Sequence, residues 1–125
     1  MKNTSEHYNS DAYLSYFKDK LGGLSHCNRA EKINKSFKYD QFHIGGVVAT
    51  QKLVALMGCS RGGCVLDVGC GFGGVARYLT YSGGFKVFGL DLSASYVSVA
   101  QSIDKWLGFS FFFFFRSEEH TSELQ

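Results

Sequence analysis

The chain has 125 residues, 45% of them hydrophobic, with 13 basic side chains against 11 acidic ones. Because the basic residues are scattered singly, a nucleic-acid partner is not expected. The polar opening residues and the lack of a long apolar stretch argue against a signal peptide and a membrane span. The cysteines form no C-x-x-C pair and match no zinc spacing, so we expect no metal site and reduced thiols in a cytoplasmic protein. They are Cys27, Cys59, Cys64 and Cys70.

The last residues differ in character from the rest of the chain. Phe111 to Phe115 is a homopolymer, and Arg116 to Gln125 reads R-S-E-E-H-T-S-E-L-Q. The sequencing adapter agatcggaagagcacacgtctgaactccag encodes that decapeptide codon for codon, and repeated ttt codons give the phenylalanines. We therefore expect residues 109–125 to be an artefactual tail, which is excluded from fold reasoning as a fusion scar would be. The alternative is a natural apolar tail with a charged end.

Two helices are predicted before residue 58. Apolar residues at helical spacing predict a helix over 11–21, capped by Ser10 and stopped by Gly22 and Gly23. Residues 25–42 are polar and irregular, which indicates a connector with a short helical turn around 31–36. A second helix is predicted over 47–57. Its expected buried face consists of Ala49, Leu53, Leu56 and Met57.

The pattern then alternates between strand and helix. It predicts a buried strand over 64–68, a helix over 74–82, a strand over 85–90, and a helix over 94–107 capped by Ser93. Short links imply a right-handed crossover and parallel strands. Two strands make no stable sheet. We therefore predict an α/β fold, the amino-terminal portion of a Rossmann-like parallel-sheet domain preceded by helices, whose sheet is incomplete and lacks its third strand.

A glycine-rich turn follows the first predicted strand. Residues 65–73 read V-L-D-V-G-C-G-F-G, and Gly69, Gly71 and Gly73 are expected to adopt dihedrals that only glycine tolerates well. Gly69, Gly71 and Gly74 also satisfy the dinucleotide spacing G-x-G-x-x-G. Spacing alone therefore does not identify the nucleotide cofactor.

Asp67, two residues before the first glycine, separates the two cofactor classes. A carboxylate beside a pyrophosphate is repulsive, whereas a ligand with a sulfonium and an ammonium group reverses that sign. Asp67 therefore favours S-adenosylmethionine over a dinucleotide. The alternative is a carboxylate satisfied by loop amides.

These motifs resemble a known family. V-L-D-V-G-C-G-F-G-G resembles the first motif of class I S-adenosylmethionine-dependent methyltransferases, and G-L-D-L-S resembles their second. D-Q-F-H-I-G-G, at residues 40–46, is similar to small-molecule members of the type 11 group. These include sarcosine and dimethylglycine N-methyltransferases and quinone and tocopherol C-methyltransferases.

The resemblance implies roles for the residues of the first motif. Gly69, Gly71 and Gly73 would line the methionine and ribose portions of the cofactor, and Asp67 would face its amino group. Cys70 would lie within the same cradle, where small residues fit, without thiol chemistry of its own.

The second motif is expected to bind the adenosine portion. The resemblance implies that Asp91 accepts hydrogen bonds from both ribose hydroxyls, with Leu92 against the adenine. The alternative for Asp91 is a helix-capping role, which Ser93 could also fill.

Other candidates keep two interpretations. His43 could touch cofactor or substrate, or serve in capping or packing. Tyr13, Tyr16 and Phe17 could cover a cationic amine, although their helical spacing favours burial.

The predicted function is S-adenosylmethionine-dependent methylation of a small molecule, such as an amine or a quinone. We expect a helical lid segment over 1–44, a partial cofactor-binding domain over 45–108 and the tail over 109–125. The substrate half would be missing, so the chain as written is expected to be inactive and no catalytic residue is named. The alternatives are an NAD(P)-binding oxidoreductase fragment and a non-catalytic binding module. The sequence leaves the acceptor atom and the oligomeric state open.

Overall fold

The computed structural model describes residues 4–58, 61–109 and 113–116, with side chains described for 10–58 and 61–109. Residues 59 and 60, with Cys59, and residues 110–112 and 117–125 of the predicted tail lie outside the described part. The elements in chain order are α1 (Thr4–Gly22), α2 (Arg29–Ser36), α3 (Gly46–Met57), β1 (Cys64–Val68), α4 (Gly74–Gly83), β2 (Lys86–Asp91), α5 (Ala94–Leu107) and β3 (Phe113–Arg116).

The first two strands confirm the predicted parallel pair. They are paired in register from Cys64 opposite Lys86 to Val68 opposite Leu90, with α4 as the crossover between them. The carboxyl ends of parallel strands meet at one edge of a sheet. The glycine loop that follows β1 therefore lies beside Asp91, the last residue of β2.

The prediction that the third strand is absent was wrong for the described residues. The backbone of β3 pairs in parallel with β2, with Phe88 opposite Phe113, and the strand order is β1, β2, β3. A phenylalanine run has high strand propensity, and the free edge of β2 offers unpaired backbone groups. The strand falls within residues 109–125, whose foreign origin stays a prediction.

Two expectations about burial were also wrong in part. In β1, Leu66 is 58% exposed and Val68 is 74% exposed, because no described element covers their face of this edge strand. Val65, on the other face, packs against the α4 cluster. On α3, Leu56 is 85% exposed, while Thr50 is buried and Val54 packs against the α4 cluster. Of the predicted face, Met57 packs against the same cluster but Leu53 is 54% exposed, so the prediction was only partly right.

The amino-terminal helices begin earlier than predicted. The chain is already helical at Thr4, so Ser10 lies inside α1 and does not cap it. The predicted turn is part of the eight-residue helix α2, which Asn28 caps through a capping box with Glu31. An N-x-x-E pattern is a recognised start signal and could have revealed α2.

The main core joins these helices to the last one. Phe17 of α1, Ile33 of α2 and Ile103 of α5 are fully buried in one cluster. Packing of α1 across α5 holds the amino-terminal segment over the carboxyl edge of the sheet, where the glycine loop lies. No helix within the described ranges is both long and apolar enough to cross a membrane.

Candidate cofactor site at the glycine loop

The glycine loop has the backbone that its sequence predicts. Gly69, Gly71 and Gly73 have φ of 73°, 55° and 81°, in the region that side chains disfavour. A Cβ at Gly69 or Gly71 would meet no heavy atom within 4 Å, so the space beside these residues is open to a ligand. Gly74 has a different reason to be glycine, because its Cβ would lie 2.0 Å from the carbonyl oxygen of Asp40.

A cavity of about 370 Å³ opens at this loop. Its walls come from the glycine loop, α1, α5 and the connection between α2 and α3. Four of the predicted cofactor residues line it, whereas Gly73, Asp91 and Leu92 are not among its lining residues. Those that line it are Tyr13, Asp40, Phe42, His43, Asp67, Gly69, Cys70, Gly71, Phe72, Gly74, Val75 and Tyr96.

Asp67 lines this cavity and has a buried oxygen without a partner. Its Oδ2 atom is the one buried side-chain oxygen or nitrogen without a hydrogen bond among the described side chains. Burial, and then the charge of Asp91, raise the pKa of Asp67 above its ordinary value. Loop amides therefore do not satisfy Oδ2, and a cationic group in the cavity would stabilise the ionised carboxylate.

Asp91 ties the glycine loop to the start of α5. Its Oδ2 accepts from the backbone N–H of Gly71 at 2.8 Å, and its Oδ1 accepts from that of Ser93 at 2.8 Å. Ser93 itself caps α5 by accepting from the backbone N–H of Tyr96 at 3.3 Å. Each Asp91 oxygen keeps a further lone pair for another donor.

Cys70 and Leu92 differ in their surroundings. Cys70 is buried, and burial, followed by the charges of Asp67 and Asp91, raises the pKa of its thiol to about 12. The thiol therefore stays protonated and unreactive near neutral pH. Leu92 is 66% exposed, so an apolar ligand surface laid on it would remove that area from water.

Aromatic rings form another part of the cavity wall. Phe72 is at the centre, with ring centroids 4.8 Å from Tyr13, 4.8 Å from Tyr96 and 5.0 Å from Phe42. All four line the cavity. Phe17 is fully buried beneath them, as its helical spacing indicated. Phe72 and Tyr96 were missed by the sequence analysis, although Phe72 lies within the glycine motif.

His43 is held by a chain of side-chain hydrogen bonds. Its Nε2 lies 2.9 Å from Thr50 Oγ1, and Thr50 donates to Gln41 Oε1 at 2.7 Å. Gln41 Nε2 in turn donates to Asp40 Oδ1 at 2.9 Å. Since the Thr50 proton is committed to Gln41, His43 Nε2 is the donor to Thr50.

Arg77 of α4 is fully buried, which the sequence did not signal. Its Nε donates to Asp40 Oδ2 at 3.3 Å and its Nη1 to Asp104 Oδ1 at 2.7 Å, while Nη2 donates to the carbonyl oxygen of Phe72. Burial raises the pKa of both carboxyls, to about 6 for Asp104, and Arg77 opposes that shift. This cluster joins the connection before α3 to α4 and α5.

Comparison with known proteins identifies the domain. Residues 65–118 match the family model described as "Methyltransferase domain". The chain is 43% identical over 56 residues to phosphoethanolamine N-methyltransferase of Triticum aestivum, which is 45% of this chain and 11% of that relative. It is 38% identical over 66 residues to phosphoethanolamine N-methyltransferase 1 of Arabidopsis thaliana, which is 53% and 13%.

Solved structures share the fold. The Haemonchus contortus phosphoethanolamine N-methyltransferase 2 in complex with S-adenosyl-L-methionine superposes with a TM-score of 0.58 at 20% identity, covering 82% of this chain and 23% of that one. A methyltransferase from Thiobacillus denitrificans in complex with S-adenosyl-L-homocysteine gives 0.55 at 23% identity, covering 72% and 36%. Residues 65–118 thus match part of a methyltransferase domain, and the chain has the fold of S-adenosylmethionine-dependent methyltransferases. It spans about a tenth of the curated relatives it matches.

The cofactor of this methyltransferase family is S-adenosylmethionine, and the residues present fit it. The unpartnered Asp67 oxygen and the aromatic wall both favour a cation. The side-chain-free faces of Gly69 and Gly71 leave room for close approach. The described residues that line the cavity include the acids Asp40 and Asp67 but no lysine or arginine, so the charge of the site disfavours a pyrophosphate.

Proposed function

We propose that this methyltransferase domain is part of a longer enzyme that transfers a methyl group from S-adenosylmethionine to a small amine. The observation that carries the proposal is the buried, unpartnered oxygen of Asp67, a residue that lines a cavity partly walled by aromatic rings. The curated relatives named phosphoethanolamine N-methyltransferases support an amine acceptor.

In this proposal the cofactor lies along the glycine loop. Gly69, Cys70, Gly71 and Gly73 would follow its methionine and ribose portions, and Asp67 would neutralise its ammonium group. The remaining lone pairs of the Asp91 carboxylate oxygens would accept hydrogen bonds from the ribose hydroxyls, and the exposed side chain of Leu92 would cover the adenine.

The bound cofactor supplies an electrophilic methyl group on a good leaving group, so the enzyme mainly has to align the acceptor with it. The aromatic rings of Tyr13, Phe42 and Tyr96 line the same cavity as Asp67. They would exclude water and contact a cationic amine face-on. A base for the acceptor proton is expected from residues beyond this chain.

We propose the same three segments that the sequence suggested: a lid over 1–44, part of the cofactor domain over 45–108, and a tail over 109–125. The exposed side chains of Leu66, Val68 and Leu56 support a larger sheet, since further strands and helices would cover them. On this view the chain alone is inactive. A cytoplasmic location remains a prediction that rests on the spacing of the cysteines, which form no C-x-x-C pair and match no zinc pattern.

The test is a methyl-transfer assay on the complete protein expressed from the uninterrupted reading frame. Labelled S-adenosylmethionine would be offered with a phosphorylated ethanolamine, an N-methylated glycine and a hydroquinone as alternative acceptors. The proposal expects label on an amine and none on the hydroquinone. Label on the hydroquinone would replace the acceptor class, and cofactor binding with no transfer to any small molecule would indicate a non-catalytic module.

A further inference from the structure

The connection between α2 and α3 crosses directly over the glycine loop. We call residues 40–43 the strap. Phe42 and His43 of the strap line the cavity, and Asp40 at its start is buried. The strap contains no regular secondary structure, so its position depends on side-chain contacts.

Those contacts lead to a single buried cation. The hydrogen-bond chain from His43 through Thr50 and Gln41 ends on one oxygen of Asp40, and Arg77 binds the other oxygen. Arg77 also donates to the carbonyl oxygen of Phe72 within the glycine loop. One guanidinium thus bonds both the strap above the cavity and the loop that forms its floor.

Steric contact fixes the same arrangement. The carbonyl oxygen of Asp40 lies 2.0 Å from the position that a Cβ on Gly74 would occupy, so the strap contacts the first turn of α4. Arg77 is one turn further along that helix and is fully buried. Its planar guanidinium donates in several fixed directions at once, which an ammonium group cannot do.

Resting on the proposed cofactor site, we propose that Arg77 is a positioning residue that sets the spacing between the strap and the glycine loop. It does so by bonding Asp40 and the Phe72 carbonyl together, and it thereby places Phe42 and His43 at the cavity. Asp104, its second carboxylate partner, lies on α5 away from the strap. Substituting the two carboxylates one at a time therefore distinguishes positioning of the strap from support of the helices.

The experiment compares variants of the complete protein by cofactor affinity, thermal unfolding and hydrogen–deuterium exchange over residues 40–50. Asp40→Asn weakens the strap side of the cluster and Asp104→Asn weakens the α5 side. Arg77→Met removes the bonds to both carboxylates and those to the carbonyl oxygens of Phe72 and Ala100. Arg77→Lys keeps the positive charge but loses the planar guanidinium geometry. Arg61→Met, at an exposed arginine, is the matched control.

We expect Asp40→Asn to lower the affinity for S-adenosylmethionine by about tenfold or more. Asp104→Asn should lower it by less than about threefold, although the two variants should lose a similar amount of Tm. Exchange over 40–50 should rise in Asp40→Asn and Arg77→Met and stay unchanged in Arg61→Met. Arg77→Lys should recover Tm more fully than affinity. If affinity follows Tm equally in both carboxylate variants, the positioning role is wrong and Arg77 only supports the helices.

The exchange measurement needs no ligand, so it separates this inference from the proposed function. A wild-type protein that fails to bind S-adenosylmethionine would overturn the proposed function, yet the exchange pattern would still report whether Arg77 fixes the strap. If Arg77→Met does not fold, the pair Asp40→Asn and Asp104→Asn gives the same decision. Unchanged exchange over 40–50 in Asp40→Asn would overturn the inference.

Discussion

The Asp67 carboxylate is expected to strengthen cofactor binding and, at the same time, to lower the stability of the unliganded protein. Asp67→Asn should weaken S-adenosylmethionine binding by about 1.5 to 3 kcal/mol, the range for a hydrogen bond to a charged group. The same change should raise the Tm of the unliganded protein, because it removes an unpaired buried charge and its repulsion with Asp91. Calorimetry and thermal unfolding would measure both effects.

Asp11→Asn provides the control, since Asp11 is an exposed acid on α1. It should change neither quantity. Cofactor affinity that is unchanged in Asp67→Asn would show that the carboxylate does not contact the cofactor.

Asp91 should behave differently from Asp67 in stability. Asp91→Ala leaves the backbone N–H groups of Gly71 and Ser93 without their acceptor, so Tm should fall as well as cofactor affinity. We expect affinity to fall by about 1.5 kcal/mol or more. Binding calorimetry with thermal unfolding tests this, and a variant that loses stability but binds normally would limit Asp91 to the capping role.

The pKa of Asp104 predicts a pH-dependent contribution to folding. Burial raises it to about 6 from an ordinary 3.8, so the folded state keeps a proton that the unfolded chain releases between those values. The contribution of Asp104 is therefore full below about pH 4 and declines as pH rises to about 6. The difference in unfolding free energy between wild type and Asp104→Asn should shrink over this window, as urea titrations at pH 4 and pH 7 would show.

At the scale of elements, the contact of the strap with α4 predicts that a glycine-to-alanine substitution lowers stability at Gly74 but not at Gly22. Gly74→Ala places a Cβ against the Asp40 carbonyl, and relieving that overlap should destabilise the fold by about 1 to 3 kcal/mol. Gly22→Ala, at the end of α1, meets no atom within 4 Å and should be neutral or slightly stabilising. Equal Tm values for the two variants would contradict the strap geometry.

Local signals explain which elements the sequence predicted well. β1 and α5 match their predicted bounds because glycines and the Ser93 cap mark their ends. Burial was predicted less well, since it depends on which neighbour covers each face. β1 looks like a buried strand in sequence but is an exposed edge among the described strands.

The same difference between local features and contacts distant in sequence applies to the candidate site. The conformation of the glycine loop could be predicted from the sequence, because a turn and its dihedrals are local features. The cofactor roles of Asp67 and Asp91 stay predictions. The bond between Arg77 and Asp40 joins residues 37 positions apart, and no periodicity reports such a pair. The third strand could not be predicted because a phenylalanine homopolymer has the composition of an artefact as well as the propensity of a strand.

For the whole molecule, the proposed tail makes a prediction about the gene. Re-sequencing the transcript should show a different reading frame after the codon for Gly108, continuing into further strands and helices. The family match extends to residue 118, so the replacement should still supply a strand beside β2. Independent genomic reads that continue into the phenylalanine codons would show that the tail is natural.

The exposed side chains of β1 and α3 also predict how the isolated chain behaves. Ordering residues costs about 1.5 kcal/mol each, which the burial of apolar surface must offset. With Leu66, Val68 and Leu56 exposed, we expect the 125-residue chain to associate rather than unfold cooperatively as a monomer. Light scattering combined with calorimetry checks this, and a cooperative monomer would contradict it.

Calorimetric titration of the complete protein with S-adenosylmethionine and, separately, with a nicotinamide dinucleotide tests the central claim most directly. That claim is that an acid beside a glycine loop selects a positively charged cofactor. The account predicts saturable binding of S-adenosylmethionine, weakened in Asp67→Asn, and no binding of the dinucleotide. Binding of the dinucleotide without S-adenosylmethionine binding would contradict it.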